Sequence, residues 1–312
     1  MCYLRDINSE LAHKQEPVTK TLKNNIEEVA LIFEGGGMRA SYTSGALNTL
    51  LENNIHFAHV YGVSAGSSNS VNYVSRDIKR SKQSFTDFVD DPQFGGIGTF
   101  LRHKGIFNAS YIYQEAGRAE GRFPFDMESF LANPAQVTIE GFDRDTGETI
   151  YWTKEDLSNL DELMLRVRAS SSLPLAMIPT RVDDRWCYDG GLGQGAGLMV
   201  NKAKADGFNR FFVICTRPRG YRKNEKRSTA LTSLFWRRPQ VQRALATRAK
   251  RYNHELDELA KLEAAGRAYV FYSDKQMCES GERNSAKLHE NYRNGYLQAQ
   301  QELNAWLSFL DR

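Results

Sequence analysis

The first hydrophobic pattern is a short unbroken apolar run, "VALIF" at 29–33, followed by an acid and three glycines. "SYTSGALNTLLENN" (41–54) comes next, with Leu47, Leu50 and Leu51 recurring at helical spacing. A continuous apolar run predicts a strand buried on both faces, and the spacing after it predicts a helix with one inner face. "FAHVYGVS" (57–64) repeats the strand pattern and enters "AGSSNSVNYVSRD" (65–77), which reads as a second helix. Strand, helix, strand and helix in that order predict a parallel sheet with helices packed on it. The middle is less regular: "DPQFGGIG" (91–98) signals a loop and "FDMESFLANP" (125–134) a short helix. "AQVTIEGF" (135–142) and "TIYWTK" (149–154), joined by "DRDTGE", read as a β-hairpin. "EDLSNLDELMLRVRASSS" (155–172) reads as a helix, "RWCY" (185–188) as a strand and "RFFVICT" (210–216) as a core strand. Pro239 opens a helix along which Val241, Leu245, Tyr252, Leu256, Leu259 and Leu262 keep helical spacing, and Gly266 marks its end. "AYVFY" (268–272) returns as a strand, and residues 285–310 close the chain as an amphipathic helix.

Composition adds bounds. The chain has 312 residues, 41% of them hydrophobic, and a formal charge of +3, enough for one large α/β core. No apolar run approaches the roughly 20 residues that a membrane span needs. The N-terminal stretch "MCYLRDINSELAHKQEPVTK" is charged throughout and lacks the apolar segment of a signal peptide. The expectation is a soluble, cytoplasmic chain. Cys2, Cys187, Cys215 and Cys278 lie far apart with no C-x-x-C spacing, which fits reduced, buried thiols rather than a metal site or disulfide framework. No metal and no cofactor are expected.

The triple glycine poses the chemical question. Gly35-x-Gly37-x-x-Ala40 satisfies the G-x-G-x-x-G/A pattern of dinucleotide-binding folds. That reading also needs an acidic residue about twenty positions on, at the end of the next strand. The next strand ends instead in "YGVSAGS", where Gly62-Val63-Ser64-Ala65-Gly66 is a G-x-S-x-G sequence between a predicted strand and a predicted helix. That is the context of a nucleophile elbow, in which a serine sits on a tight, strained turn. Loops after neighbouring parallel strands meet at the same end of the sheet. The amides of Gly35, Gly36, Gly37, Met38 and Arg39, with that of Ala65, are therefore the candidate donors to an oxyanion formed over Ser64. The Arg39 side chain either adds positive potential there or pairs with a surface carboxylate.

A serine hydroxyl needs a positioned base. None of the six histidines (His13, His56, His59, His103, His254, His289) is embedded in a catalytic motif. "RWCYDGGLGQGAG" (185–197) places Asp189 directly after an apolar strand, and Gly190 and Gly191 after it permit close backbone approach. Asp143, Asp145 and Gly147 have part of the spacing of a calcium loop. They lack its third oxygen position and closing glutamate, and are assigned to the hairpin turn.

Three motifs in order, Gly35-Gly36-Gly37-Met38-Arg39, Gly62-Val63-Ser64-Ala65-Gly66 and Asp189-Gly190-Gly191, together with "ASSSLPLAMIPTRV" (169–182), resemble the patatin-like phospholipases of the bacterial cytoplasmic kind. The resemblance runs from about residue 28 to 275. It implies a three-layer α/β/α sandwich with a mostly parallel central sheet, and a Ser–Asp dyad without histidine. Carried over by position, Ser64 is the nucleophile, Asp189 the proton acceptor and 35–39 the oxyanion loop. Asp189 would take the Ser64 proton during attack on an acyl carbonyl, an acyl-enzyme would form, and partial desolvation should raise the Asp189 pKa. The implied organisation is a polar lead-in at 1–25, an acyl-hydrolase domain at 26–275 and a C-terminal amphipathic helix at 276–312 packed on it. Many family members carry Asn and Pro shortly after Asp-Gly-Gly, whereas this chain has "LGQGAG" (192–197).

Between Arg217 and Arg251 about a dozen Lys and Arg residues stand against one acid, Glu225, with Phe235 and Trp236 interleaved. This stretch reads either as a patch that settles on anionic lipid headgroups or as a solvated loop and helix start with both aromatics packed inward. No nucleic-acid motif accompanies the charge. Residues 91–125 are the candidate lid. The expected function is lipid acyl-ester hydrolysis. The alternatives are an esterase or thioesterase for a small soluble substrate, and a non-catalytic binding protein that retains the fold.

Overall fold

The computed structural model describes residues 22–96, 106–225 and 232–311, so most of the 1–25 lead-in lies outside the described residues. The glycine loop and elbow are flanked by β1 (Ala30–Phe33), α1 (Ala40–Glu52), β2 (His59–Val63) and α2 (Ala65–Val74). The helix expected over 65–77 stops early because Arg76 adopts φ +55°. Asp77 then caps a new helix, α3 (Ile78–Gln83), by accepting the Arg80 N–H at 2.8 Å. A short α4 (Met127–Ala132) precedes the hairpin β3 (Gln136–Asp143) and β4 (Thr149–Trp152). The helix expected from 155 begins at 160, as α5 (Leu160–Ser170), because the Asn159 side chain caps it by accepting the Glu162 N–H. A three-residue strand, β5 (Thr180–Val182), was not anticipated; it pairs with β6 (Arg185–Asp189). α6 (Val200–Ala205), β7 (Phe211–Ile214), α7 (Pro239–Ala264), β8 (Ala268–Phe271) and α8 (Ser285–Leu310) complete the chain.

The sheet runs β5-β6-β3-β2-β1-β7-β8, with β4 paired to β3. Strands β3, β2, β1, β7 and β8 are mutually parallel, and β4, β5 and β6 add antiparallel pairs. β1 is buried at every position because both faces are covered. Leu31 and Phe33 pack with Leu47 and Leu50 of α1 and Trp306 of α8 on one face. Ala30 and Ile32 pack with Val200 of α6 and Tyr252 and Leu259 of α7 on the other. This is the three-layer α/β/α arrangement expected from the sequence. α8 seats directly on α1, where a Cβ on Gly45 would stand 2.4 Å from the Tyr296 nitrogen and one on Gly295 2.1 Å from the Tyr42 carbonyl oxygen.

One register detail positions the site. Glu140 of β3 pairs with Val63 on one edge and Tyr151 on the other, while Gly141 pairs with Ile150 and Asp189. β4 holds one edge over 139–142, overlapping the pairings of both β2 and β6, so β2 and β6 share the other edge end to end. They approach from opposite directions, and both stop there. Residues 64 and 189 are thereby brought together by backbone pairing alone.

Candidate active site

Ser64 occupies the turn between β2 and α2 at φ +56°, ψ −128°, a conformation costly for any residue with a side chain. The surroundings hold it there. Its N–H donates to Ser170 Oγ at 2.9 Å, and Ser170 in turn donates to the Glu140 carbonyl at 2.6 Å. Its carbonyl accepts from the Ser67 hydroxyl at 2.6 Å. A Cβ on Gly66 would stand 2.2 Å from the Phe33 carbonyl oxygen, so glycine there lets α2 start against the end of β1. At Gly62 an added Cβ would meet the Ser70 hydroxyl and the Gly66 backbone in the same way.

Ser64 Oγ donates to Asp189 Oδ2 at 2.6 Å, and Asp189 Oδ1 accepts the Gly191 N–H at 2.7 Å. Both side chains are buried. Burial pushes the Asp189 pKa above the usual carboxylate value. Arg248, the Ser64 hydroxyl, the Gly191 amide and Lys223 pull it back down. None of the four described histidines touches either residue; His289, for example, pairs with Asp87 at 2.7 Å.

The five amides of the glycine loop are not equivalent. Gly35 N–H donates to the Gly197 carbonyl at 3.1 Å and Met38 N–H to the Ser280 carbonyl at 2.9 Å, so both are already spent. Arg39 N–H lies within the short helical turn Gly37–Arg39. Those of Gly36, Gly37 and Ala65 have no acceptor among the described residues. Gly37 adopts φ +57° and, with Met38, Ser64 and Ala65, lines a narrow cavity of about 80 Å³. Phe85, Phe88, Phe107, Val167 and Met177 make much of its remaining wall apolar, with Arg80, Ser68, Ser84, Ser171 and Ser280 as polar members. Phe94, Phe107, Ile112 and Tyr113 bring part of the candidate 91–125 lid to its wall, while 97–105 lie outside the described residues.

The Arg39 side chain is buried, so it is not part of a surface pair. Burial and, after it, Arg217 pull its pKa down, against Glu34 and Tyr252. Sequence reasoning passed over Glu34. Its buried carboxylate accepts the Thr216 N–H at 2.6 Å and the Tyr252 hydroxyl, tying the glycine loop to β7 and α7. Its position at the end of an apolar strand was the available signal. Lys223 was also passed over as one charge among many. It is half-buried, donates to the Ala196 carbonyl at 3.2 Å and sits 3.5 Å from the Tyr252 ring centroid. Asp143 accepts the Asp145 and Thr146 amides, which makes 143–148 a turn. Cys187, Cys215 and Cys278 are buried and free, and Cys2 lies outside the described residues.

Residues 31–200, more than half of the chain, match the family model for patatin-like phospholipase. The chain belongs to that family. Patatin-like phospholipases are lipid acyl hydrolases, which makes this protein a member of a hydrolase family. A second family model, described only as a domain of unknown function (DUF6363), matches residues 238–311 and thus takes α7, β8 and α8 as one piece. No curated protein matches the chain. Among solved structures, VipD from Legionella pneumophila aligns over 90% of this chain and 68% of its own, at 13% identity and a TM-score of 0.47, too distant to bear on residues or mechanism. Among the described residues of this family member, no helix is long and apolar enough to cross a membrane.

Proposed function

We propose that the protein hydrolyses lipid acyl esters, with Ser64 as nucleophile and Asp189 as its proton acceptor, through an acyl-enzyme. The observation that carries this reading is the 2.6 Å hydrogen bond from Ser64 Oγ to Asp189 Oδ2. Ser64 attacks the acyl carbonyl as Asp189 takes its proton. The oxyanion forms beside the unengaged N–H groups of Gly36, Gly37 and Ala65. Collapse breaks the ester bond, and Asp189 returns the proton to the departing alkoxide oxygen. Water then attacks the acyl-enzyme with Asp189 again as base, the Ser64 Oγ–acyl bond breaks as Asp189 returns the proton to Ser64 Oγ, and the fatty acid leaves. The apolar cavity on the Ser64 side suits the acyl chain. In the same reading, residues 26–275 form the hydrolase domain and the helix within 276–312 packs on it. The close Gly45–Gly295 crossing supports that assignment.

For membrane contact the relevant surface is smaller than the Arg217–Arg251 stretch. Arg219 pairs with Glu263, Arg222 with Asp257 and Arg238 with Asp145, so much of the charge is met by acids from elsewhere in the chain. Phe235 is buried, but Leu234 and Trp236 are 62% and 67% exposed, with Arg237 over the Trp236 ring. We read 234–237 as the segment that touches a lipid surface. Residues 226–231 lie outside the described residues.

A fluorophosphonate probe tests the chemistry, because only an activated serine reacts with it. Wild-type protein should label and Ser64→Ala should not. Equal labelling of the two would remove Ser64 from the mechanism. Hydrolysis rising above the critical micelle concentration of a dispersed ester separates a lipid substrate from a small soluble one.

A further inference from the structure

The cavity beside Ser64 has a length and an end. Ala65, Ser68 and Val71 line it from α2, at the spacing of one helix face. Met164 and Val167 of α5, with Ser171 just after it, line it from the other side, again on one face. Ser171 stands at the dyad end, because its neighbour Ser170 accepts the Ser64 N–H. Met164 is therefore at the far end. Arg80 of α3 meets it there: a Cβ on Gly117 would lie 3.0 Å from Met164 Cε and 3.7 Å from Arg80 Nη2. The guanidinium is fixed, with Nε donating to the Phe123 carbonyl at 3.2 Å and Nη1 to Asn72 Oδ1 near the end of α2. Burial pulls the Arg80 pKa down to about 10, which leaves it charged at neutral pH.

We infer that this cavity measures the acyl chain between Ser64 and Arg80, and that the protein selects acyl groups of about six to eight carbons. The inference rests on the Ser64–Asp189 reading above, which puts the acyl carbonyl at Ser64 and its chain in the cavity. Two estimates agree. Ser64 to Val71 along α2, and Ser171 back to Met164 along α5, each span two helical turns, about 10 Å at 1.5 Å per residue. A zigzag chain of ~1.5 Å bonds advances about 1.3 Å per carbon, so about eight carbons reach the far end. Independently, the volume of about 80 Å³ gives room for about six groups of methylene size, at about 10–15 Å³ each. A longer chain must either push the guanidinium off Asn72 and the Phe123 carbonyl, or leave its excess carbons without a place. Hydrocarbon pressed against a desolvated cation is unfavourable as well. Arg80 is thus a specificity-determining residue, and the substrate class is a medium-chain acyl ester.

The test compares kcat/KM for chromogenic esters of butanoic, octanoic, dodecanoic and hexadecanoic acids, each at the same mole fraction in neutral detergent micelles. Each methylene left without apolar contact corresponds to roughly a three- to fourfold loss, so octanoyl should exceed dodecanoyl by about tenfold or more. Arg80→Met removes the charge and the fork that close the cavity, and should raise the dodecanoyl-to-octanoyl ratio by about fivefold or more. Val71→Phe fills the far half from the opposite wall and should lower the octanoyl-to-butanoyl ratio by about the same factor. Ratios, not absolute rates, are the readout, because both variants also change packing. The wild-type profile decides the chain-length limit without either variant. Serine-dependent hydrolysis in which dodecanoyl and hexadecanoyl match octanoyl, or a folded Arg80→Met with an unchanged ratio, would overturn this assignment and leave the dyad standing. Hydrolysis equal in wild type and Ser64→Ala would instead overturn the reading on which it rests.

Discussion

Replacing Asp189 by asparagine separates base chemistry from architecture. Asparagine is nearly isosteric, and its carbonyl oxygen can take the Oδ1 place and keep the Gly191 N–H bond of 2.7 Å. Its amide nitrogen then takes the Oδ2 place, 2.6 Å from Ser64 Oγ in the wild type. The contact survives with its direction reversed: the amide donates to the serine lone pair that should attack, and nothing accepts the proton. Loss of a positioned general base costs about 10²- to 10⁴-fold in rate. The fall should appear in kcat with KM little changed, because no group that binds the acyl chain is touched. Stability should move in the opposite sense. Burial raises the wild-type Asp189 pKa, so the folded chain holds this proton to higher pH than the unfolded chain does. That contribution is fully present below the ordinary carboxylate value of 3.8 and is lost as pH rises through the folded pKa. Asparagine does not titrate. The difference in Tm, Asp189→Asn minus wild type, should therefore rise with pH from about 4 and then level off. The assay pairs steady-state hydrolysis of a short chromogenic ester with thermal unfolding across pH. Activity above a tenth of wild type, or a Tm difference that falls as pH rises, would refute the role given to this carboxylate.

Gly37→Ala places a Cβ 2.4 Å from the Ser280 carbonyl oxygen at a backbone φ of +57°, so the backbone at this candidate oxyanion donor must shift. The expected loss in kcat is about 10²- to 10³-fold, that of one oxyanion donor, measured with the same ester. Gly45→Ala drives a methyl into the Tyr296 nitrogen at 2.4 Å and the Tyr292 carbonyl oxygen at 2.7 Å. Neither backbone can yield cheaply, so the variant should lose about 1–3 kcal/mol and several degrees in Tm by calorimetry. Burial lifts Glu255 to about 7, so its stabilising proton is lost between about 4.5 and about 7. The Tm difference of Glu255→Gln from wild type should climb over that interval and stay flat above it, as followed by fluorescence-detected melting.

Much of this site was legible where local pattern and chemistry coincide. Ser64 stood out because G-x-S-x-G fell between a strand pattern and a helix pattern, and both elements formed, at His59–Val63 and Ala65–Val74. The buried strands were legible because both faces of the sheet are covered, which leaves no polar alternation to confuse the signal. What failed was short or long-range. "TRV" is too brief to show a period, and α3 was hidden because its start depends on a positive φ at Arg76. The division of labour among the glycine-loop amides was also hidden. Gly35 and Met38 lose their donors to Gly197 and Ser280, carbonyls that no local pattern associates with them. Arg248 looked like one positive charge in a basic run. Its place against Gly191 follows from how α7 packs on the end of β6.

The same packing bears on how, in the proposed mechanism, a carboxylate would stand where many hydrolases use an imidazole. In the proposed mechanism Asp189 must be ionised before attack, yet hold a proton long enough to pass it on. Burial alone would leave it protonated, and exposure alone would leave it too weak. Burial raises its pKa, while Arg248, the Ser64 hydroxyl, the Gly191 amide and Lys223 stabilise the anion. The Glu140 side chain behind the loop is fully buried without a hydrogen-bond partner, and burial with the nearby Glu255 pushes its pKa well up. The shift favours the neutral form of Glu140, which places no charge beside Asp189. Arg248, Ser64, Gly191 and Lys223 thus act to favour the charged form of Asp189, whereas at Glu140 burial and Glu255 outweigh Arg251 and the Gly195 amide. Converting Glu140 to glutamine should accordingly leave the pH profile of ester hydrolysis in place. Moving Arg248 to glutamine should shift its acid limb upward, because the carboxylate then loses the largest influence that favours its charged form.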